Sequence, residues 1–279
     1  MRITEARVLV FDTETTGIDT AVDRIVEFGA VGMGQDQSVG TLQHIYMNPG
    51  VPIPKEASDI HGITDDKVAG CDRFGANAGG LQWLFEKAEV LCGYNAASYD
   101  AAILNAEFER HGSRYRIDPA RVLDPVVFVR WHLRGTQKRR LGDMCGYFGV
   151  VLDNAHTAVA DSTATAALLL KMIAAGHIPD DLEKALALQA CYAALQASEF
   201  ERWSYWLYRD RKDGMSLRLG AGKHCGIALS KVDAGFLNWL LNKLDDLHEG
   251  ARREFETELM RRAGKAPRGV RGFLRSLRR

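Results

Sequence analysis

The chain has 279 residues, 46% of them hydrophobic and 26% charged, and its 36 Lys and Arg are balanced by 36 Asp and Glu. That length buries a full core and leaves room for a smaller second module; the composition excludes a disordered chain, and no apolar run approaches the roughly 20 residues of a membrane helix. The zero net charge excludes a uniformly basic surface but hides a polarised chain: residues 261–279 hold eight Lys or Arg and no acid, so residues 1–260, with 28 basic and 36 acidic, carry −8. Met1–Arg7 runs straight into apolar Val8–Phe11 without the order of a signal peptide. Cys71, Cys92, Cys145, Cys191 and Cys225 are widely spaced and form no CxxC pair, so reduced thiols, a cytoplasmic location and no zinc site are expected.

In chain order, Val8–Phe11 reads as a strand, Arg24–Val31 as a second after the turn at Thr16-Gly17, and Leu42–Met47 as a third by its alternation. Past Pro49, Pro52 and Pro54, helical signals span about Leu81–Ala88, followed by a strand at Val90–Tyr94 and a helix from about Tyr99 to His111. Arg121–Arg130 and Leu141–Phe148 are further apolar stretches, and Asp161 opens a strongly apolar helix to about Ala175. Strands first, then strands alternating with helices, predict an α/β domain over residues 1–176, a mixed sheet flanked by helices. The pattern breaks at Gly176–Pro179, and a connecting helix from about Asp180 to Ala197 fills segment 177–199. A small α+β accessory domain is expected at 200–250, with strands Ser204–Tyr208 and Met215–Leu219 and a helix Gly235–Leu247; residues 251–279 read as a basic tail.

Chemistry concentrates in three places. Asp12 and Glu14 end an apolar strand two residues apart, so both point to one side, where they repel each other unless a cation lies between them. Oxygen donors of this kind suit Mg²⁺ or Mn²⁺. Asp100 follows a second apolar strand where a helix begins, a position that simple helix capping also explains. His156 precedes Asp161 at the head of the third helix, and a histidine titrates near neutrality, which suits it to take a proton from water. Together these groups fit a two-cation site, one ion lowering the pKa of the attacking water and the other stabilising the leaving oxygen, with the ions about 3.5–4 Å apart.

The blocks FDTETTG at 11–17, YNAASYD at 94–100 and HTAVAD at 156–161 resemble, in order and spacing, the three exonuclease motifs of the DnaQ-like (DEDDh) superfamily. That superfamily includes proofreading subunits of DNA polymerases, ribonuclease T and exodeoxyribonuclease X. The resemblance covers residues 6–175. It implies a ribonuclease H-like fold, two Mg²⁺ or Mn²⁺ ions, and release of nucleoside 5′-monophosphates from a 3′ end. It carries the metal role to Asp12, Glu14, Asp100 and Asp161, a catalytic role to Glu14, and the general-base role to His156, with no departure at these five positions. The blocks His61–Thr64 and Arg140–Phe148 agree with the same family, and Thr13, Thr15, Ile18, His61 and Asn95 are the substrate-binding candidates it suggests.

Two basic features fall outside the motifs. Arg130, Arg134, Lys138, Arg139 and Arg140 form a patch without an acid, able to track phosphates or simply to be solvated. Gly222–Leu240 resembles the small domain behind the exonuclease domain of some exodeoxyribonuclease X-like proteins; Lys223, His224, Trp203, Tyr205, Trp206 and Tyr208 are there to contact a strand or to form a small core. The expected substrate is the 3′ end of single-stranded DNA. RNA trimming, proofreading with a polymerase or replication partner, a homodimer, and a non-catalytic nucleic-acid-binding module are the alternatives.

Overall fold

The computed structural model describes residues 1–34, 38–133, 139–203, 206–209, 216–221, 223–244, 247 and 249–263, the side chains of 195–203 excepted. The chain divides into two compact units, Met1–Tyr192 and Ala193–Arg279.

The first unit is organised by one five-stranded sheet. β1 (Val8–Thr15), β2 (Ile25–Met33) and β3 (Val39–Tyr46) form an antiparallel meander; β4 (Val90–Cys92) and β5 (Val122–Leu123) extend the other edge of β1 in parallel, giving the order β3-β2-β1-β4-β5. The helices are α1 (Lys55–His61), α2 (Asp65–Val68), α3 (Phe74–Lys87), α4 (Asp100–Arg110), α5 (Pro125–His132), α6 (Leu141–Phe148), α7 (Ala158–Ala174) and α8 (Leu182–Trp203). This is a ribonuclease H-like mixed α/β fold. Alternation along β1 sends Val8 and Val10 into a core with Phe128 of α5 and Leu168, Leu169 and Met172 of α7. Leu9 and Phe11 enter the opposite core with Phe85 of α3 and Phe108 of α4. By the same parity Asp12 and Glu14 point to the α7 side and Thr13 to the α4 side.

Several elements differ from the sequence expectation. The helix expected from Leu81 begins at Phe74, and α1 and α2 lie in the Pro-rich stretch where none was expected. α7 begins three residues before Asp161, so Asp161 sits in its first turn rather than opening it. The unit boundary falls inside α8, which continues to Trp203 instead of ending near Ala197.

In the second unit β6 (Leu207–Arg209) pairs antiparallel with β7 (Leu217–Leu219), followed by α9 (Ala234–Lys243) and α10 (Glu249–Arg262). α10 occupies the beginning of what reads as a tail in the sequence. Its charged composition conceals a narrow apolar stripe: Ala251 and Phe255, one turn apart, are fully buried with Leu219, Leu237 and Leu240. Arg262 closes the packing by donating to the carbonyls of Val232 at 2.6 Å and Leu229 at 2.8 Å. Trp206 packs against this same core, while Tyr205 and the side chain of Trp203 lie outside the described residues. Among the described residues no helix is long and apolar enough to cross a membrane.

The approach of α7 to the sheet depends on Gly29 of β2: a Cβ there would lie 2.3 Å from the carbonyl carbon of Ala158. Gly29→Ala is expected to push α7 outward and destabilise the first unit by about 1–3 kcal/mol, as overpacked cores do. Urea denaturation checks this, and a midpoint equal to that of the parent chain would refute it.

Candidate active site

Asp12 and Glu14 lie at the end of β1, on the face that α7 covers. In the antiparallel register Asp12 stands opposite Gly29 and Glu14 opposite Glu27. Because Gly29 presents only backbone, the first turn of α7 rests directly on β2, and Ser162 Oγ donates to the Gly29 carbonyl at 3.2 Å. That contact fixes Asp161, the preceding residue. The segment leading into α7 turns through two left-handed residues, Asn154 at φ 56° and His156 at φ 69°, and leaves His156 exposed. Glu14, His156 and Asp161 each offer a ligand atom, and these atoms all lie within 4.8 Å of one another.

Asp12 and Asp100 are not among those three groups; Asp100 approaches from the other side of the sheet, and its charge bears on Asp12 and Glu14. It is the first residue of α4 and almost fully buried, and Thr13, the β1 residue that faces α4, donates its hydroxyl to Asp100 Oδ1 at 2.6 Å. The loop that delivers Asp100 is held by a residue the sequence reading missed, Asp124. Its Oδ1 accepts from the backbone N–H of Asn95 at 2.9 Å and of Val126 at 3.1 Å, and its Oδ2 from Ala97 N–H at 3.3 Å. One carboxylate thus caps α5 and pins the 95–97 turn. The Asp-Pro pair at 124–125, a helix-start signal, marked this residue in the sequence.

The electrostatics of the cluster are strained. Burial, then the charges of Asp100, Glu14, Asp161 and Glu27, hold the Asp12 carboxyl well above the usual range. Burial, then Asp161, Glu27 and Asp100, push Glu14 up to about 8. Asp100 rises to about 7 through burial, even though bonds from Thr13 draw it down. Asp161 is raised by burial against the lowering effect of His156, whose backbone N–H it accepts. Glu27, fully buried, is the second residue the sequence reading missed. His44 Nε2 lies 2.6 Å from its Oε1, while Glu27 Oε2 and Asp161 Oδ1 are buried without a hydrogen-bond partner among the described residues. Buried carboxylate oxygens normally have partners. Orphaned oxygens among mutually repelling acids, with one imidazole beside them, make a donor set that fits a hard divalent cation.

The substrate-binding candidates fare differently. Thr15 Oγ1 donates to the Gly17 carbonyl at 2.7 Å and lies 2.7 Å from the Tyr99 hydroxyl, which also donates to that carbonyl, so the turn after β1 is tied to the Asp100 motif. Ile18, next in that turn, is 91% exposed and belongs to no core. His61 is buried: Ile63 N–H donates to its Nδ1 at 3.0 Å, which makes Nε2 the donor to the Thr15 carbonyl at 3.2 Å. Both ring nitrogens therefore serve the β1 turn, and burial lowers the His61 pKa. Asn95 adopts a left-handed φ of 67° and accepts from Ser98 Oγ at 3.1 Å and from Arg130 at 3.3 Å. Of the basic patch, Arg134 and Lys138 lie outside the described residues.

Comparison with known proteins adds to this geometry. Residues 9–169 match the family model RNase_T, described as Exonuclease. The chain is 31% identical over 193 residues to DNA polymerase III PolC-type of Streptococcus pneumoniae, a stretch covering 66% of this chain and 12% of the polymerase. It is also 31% identical over 170 residues to the PolC-type polymerase of Listeria welshimeri, covering 61% of this chain and 11% of the polymerase. The chain thus spans only a small part of the curated relatives it matches. Among solved structures, E. coli exonuclease I in complex with a dA16 oligonucleotide has a TM-score of 0.56 at 19% identity, covering 88% of this chain and 61% of that one. Cell-death related nuclease 4 has a TM-score of 0.51 at 18% identity, covering 62% of this chain and 65% of that one. At these identities the structural likeness is one of fold.

A carboxyl whose pKa is higher in the folded than in the unfolded state destabilises the fold once the unfolded chain ionises. For Glu14 the loss begins as pH rises through 4.5 and is complete above about 8. The melting temperature in chelator is expected to fall between about pH 5 and about pH 8.5, and millimolar Mg²⁺ or Mn²⁺ to restore it. Glu14→Gln removes one repelling charge and raises the metal-free melting temperature at the alkaline end by about 2–4 °C per kcal/mol relieved. Calorimetry showing a flat profile in chelator would contradict this.

Proposed function

We propose that this chain, which belongs to the RNase_T exonuclease family, hydrolyses the terminal phosphodiester at the 3′ end of DNA and releases nucleoside 5′-monophosphates. The observation that carries the reading is the convergence of Glu14, His156 and Asp161 within 4.8 Å, backed by the buried, unpartnered oxygens of Asp161 and Glu27. Asp12, Glu14, Asp100 and Asp161 would hold two Mg²⁺ or Mn²⁺ ions. When bound, such cations supply Lewis acidity toward the phosphoryl oxygens and lower the pKa of a nearby water. His156, exposed and next to Glu14 and Asp161, accepts the proton of the attacking water. The water oxygen bonds to phosphorus as the bond from phosphorus to the penultimate O3′ breaks, and the departing O3′ takes up a proton from solvent to become the 3′-hydroxyl of the shortened strand. The turn at Gly17–Ile18, tied to Tyr99 and supported by His61, presents an exposed apolar side chain against which the terminal nucleotide can pack.

DNA is preferred as substrate because the solved neighbour binds an oligodeoxynucleotide and the curated relatives are DNA polymerases. The PolC-type relatives also favour a second reading, in which the chain removes mispaired 3′ ends for a polymerase. The five cysteines are free thiols, which suits a cytoplasmic setting.

Purified protein incubated with 3′- or 5′-labelled single-stranded DNA, matched and mismatched duplex DNA, and RNA is expected to shorten single-stranded DNA from its 3′ end, only with Mg²⁺ or Mn²⁺. Asp12→Ala removes the activity while keeping the fold. His156→Asn, which tolerates the left-handed backbone, lowers turnover by about 10²–10⁴-fold at unchanged stability. Cleavage in chelator, or near-normal turnover of Asp12→Ala, defeats the reading; fastest attack on mismatched duplex ends selects the proofreading role, and fastest attack on RNA selects RNA trimming.

A further inference from the structure

We propose that the second unit carries a nucleobase site of its own: Phe236 and Trp239 form a stacking platform beside the ammonium of Lys223 and hold one nucleotide of a single strand. The platform is built by the start of α9. Asp233 caps this helix, its Oδ1 accepting from Phe236 N–H at 3.0 Å, and Phe236 and Trp239, three residues apart, fall on one side of it. Their rings lie 5.7 Å apart at 17°, nearly parallel. His224 buttresses Phe236 edge-on at 4.6 Å, and Lys223 Nζ sits 5.4 Å from the Phe236 ring centre.

Phe236 rests against the unit's core, and Trp239 stands outside it. Leu237 and Leu240 of the same helix are fully buried, whereas Trp239 is 47% exposed. Lys223, Asp233, Gly235, Phe236 and Trp239 line a pocket of about 470 Å³, within the range of small-ligand sites. A side chain at Gly235 would press within 2.9 Å of the capping Asp233 Oδ1, so the absence of one keeps both the cap and the pocket mouth clear. Among the described residues the Lys223 ammonium has no carboxylate partner.

An exposed aromatic face beside a cation that has no carboxylate partner among the described residues matches a base joined to its phosphate. The charge balance points the same way. Residues 193–279 hold 18 Lys or Arg against 11 Asp or Glu, a net +7, and residues 1–192 carry the compensating −7. A polyanion therefore belongs on the second unit. The choice of a polynucleotide as that polyanion rests on the nuclease reading of the first unit. Of the aromatics that the sequence offered for a strand contact or a small core, Trp206 packs against the core.

The test uses the full chain carrying Asp12→Asn, to prevent cleavage, and a fluorescein-labelled oligothymidylate followed by anisotropy. Trp239→Ala is expected to weaken binding about tenfold and Trp239→Phe to recover most of it, the range of one stacked base. Lys223→Ala is expected to reduce the slope of log affinity against log salt by about 0.7, one single-strand phosphate contact. In the otherwise wild-type chain, Trp239→Ala leaves cleavage of a trinucleotide unchanged. The proposal is overturned if Trp239→Ala and Lys223→Ala bind like their parent, or if Trp239→Ala weakens heparin, a polyanion without bases, as much as the oligonucleotide. Trp239-dependent binding without cleavage by the wild-type chain would remove the nuclease reading and leave this site standing; cleavage with Trp239-independent binding would do the reverse.

Discussion

Carboxylates crowded at the end of a half-buried strand cannot all ionise at neutral pH without a counter-charge, and the first unit is arranged around that constraint. Asp12, Glu14, Asp100 and Asp161 each sit above their usual pKa range, and burial is the first cause in every case. Repulsion of this kind would spread a loose set of side chains apart. Here the acids ride on elements that cannot yield: the central strand of the sheet, the first residue of α4, and the first turn of a helix seated on a glycine. The fold stores electrostatic free energy at this one place, and protonation or a bound cation relieves it.

Backbone contacts supply the rigidity that the acids lack. Asp124 accepts three main-chain N–H bonds and so fixes the turn ahead of Asp100. His61 spends one nitrogen on Ile63 and the other on the carbonyl of Thr15, and Tyr99 ties Gly17 to α4. Gly93 lets β4 pass close to β1, since a Cβ there would fall 2.7 Å from the Phe11 carbonyl oxygen. None of these residues needs to touch a substrate; each sets where a reacting group stands. Positioning networks of this sort hold a site to the tolerance that catalysis requires.

Local periodicity made much of this legible in the sequence. β1, β2, β4 and α7 declare themselves by apolar runs; Asp12 and Glu14 stand at the end of the first, Asp100 follows the third at the start of a helix, and His156 and Asp161 stand at the head of the last. Glu27 did not, because within Ile25–Met33 it is one polar residue in an apolar strand; only the register that sets it opposite Glu14 gives it meaning. α10 was hidden for a related reason: its eight charged residues out of fourteen outweigh a stripe one residue wide. Ile18, a substrate-binding candidate in the sequence, stands exposed in the turn after β1, where no core competes for it. What the sequence withholds is pairing, which depends on residues far apart along the chain.

The opposite charges of the two units bear on how a polyanion could approach an acidic centre at all. A unit of net −7 repels a phosphate backbone until cations occupy its carboxylates, and at physiological salt that repulsion acts over about 8 Å. A covalently attached unit of net +7 raises the local concentration of the same backbone whatever the state of the carboxylates. On the proposed reading, capture would answer to salt, through the basic unit, and hydrolysis to divalent cation, through the acidic one. The zero net charge of the whole chain is the sum of these two opposed surfaces and reveals neither.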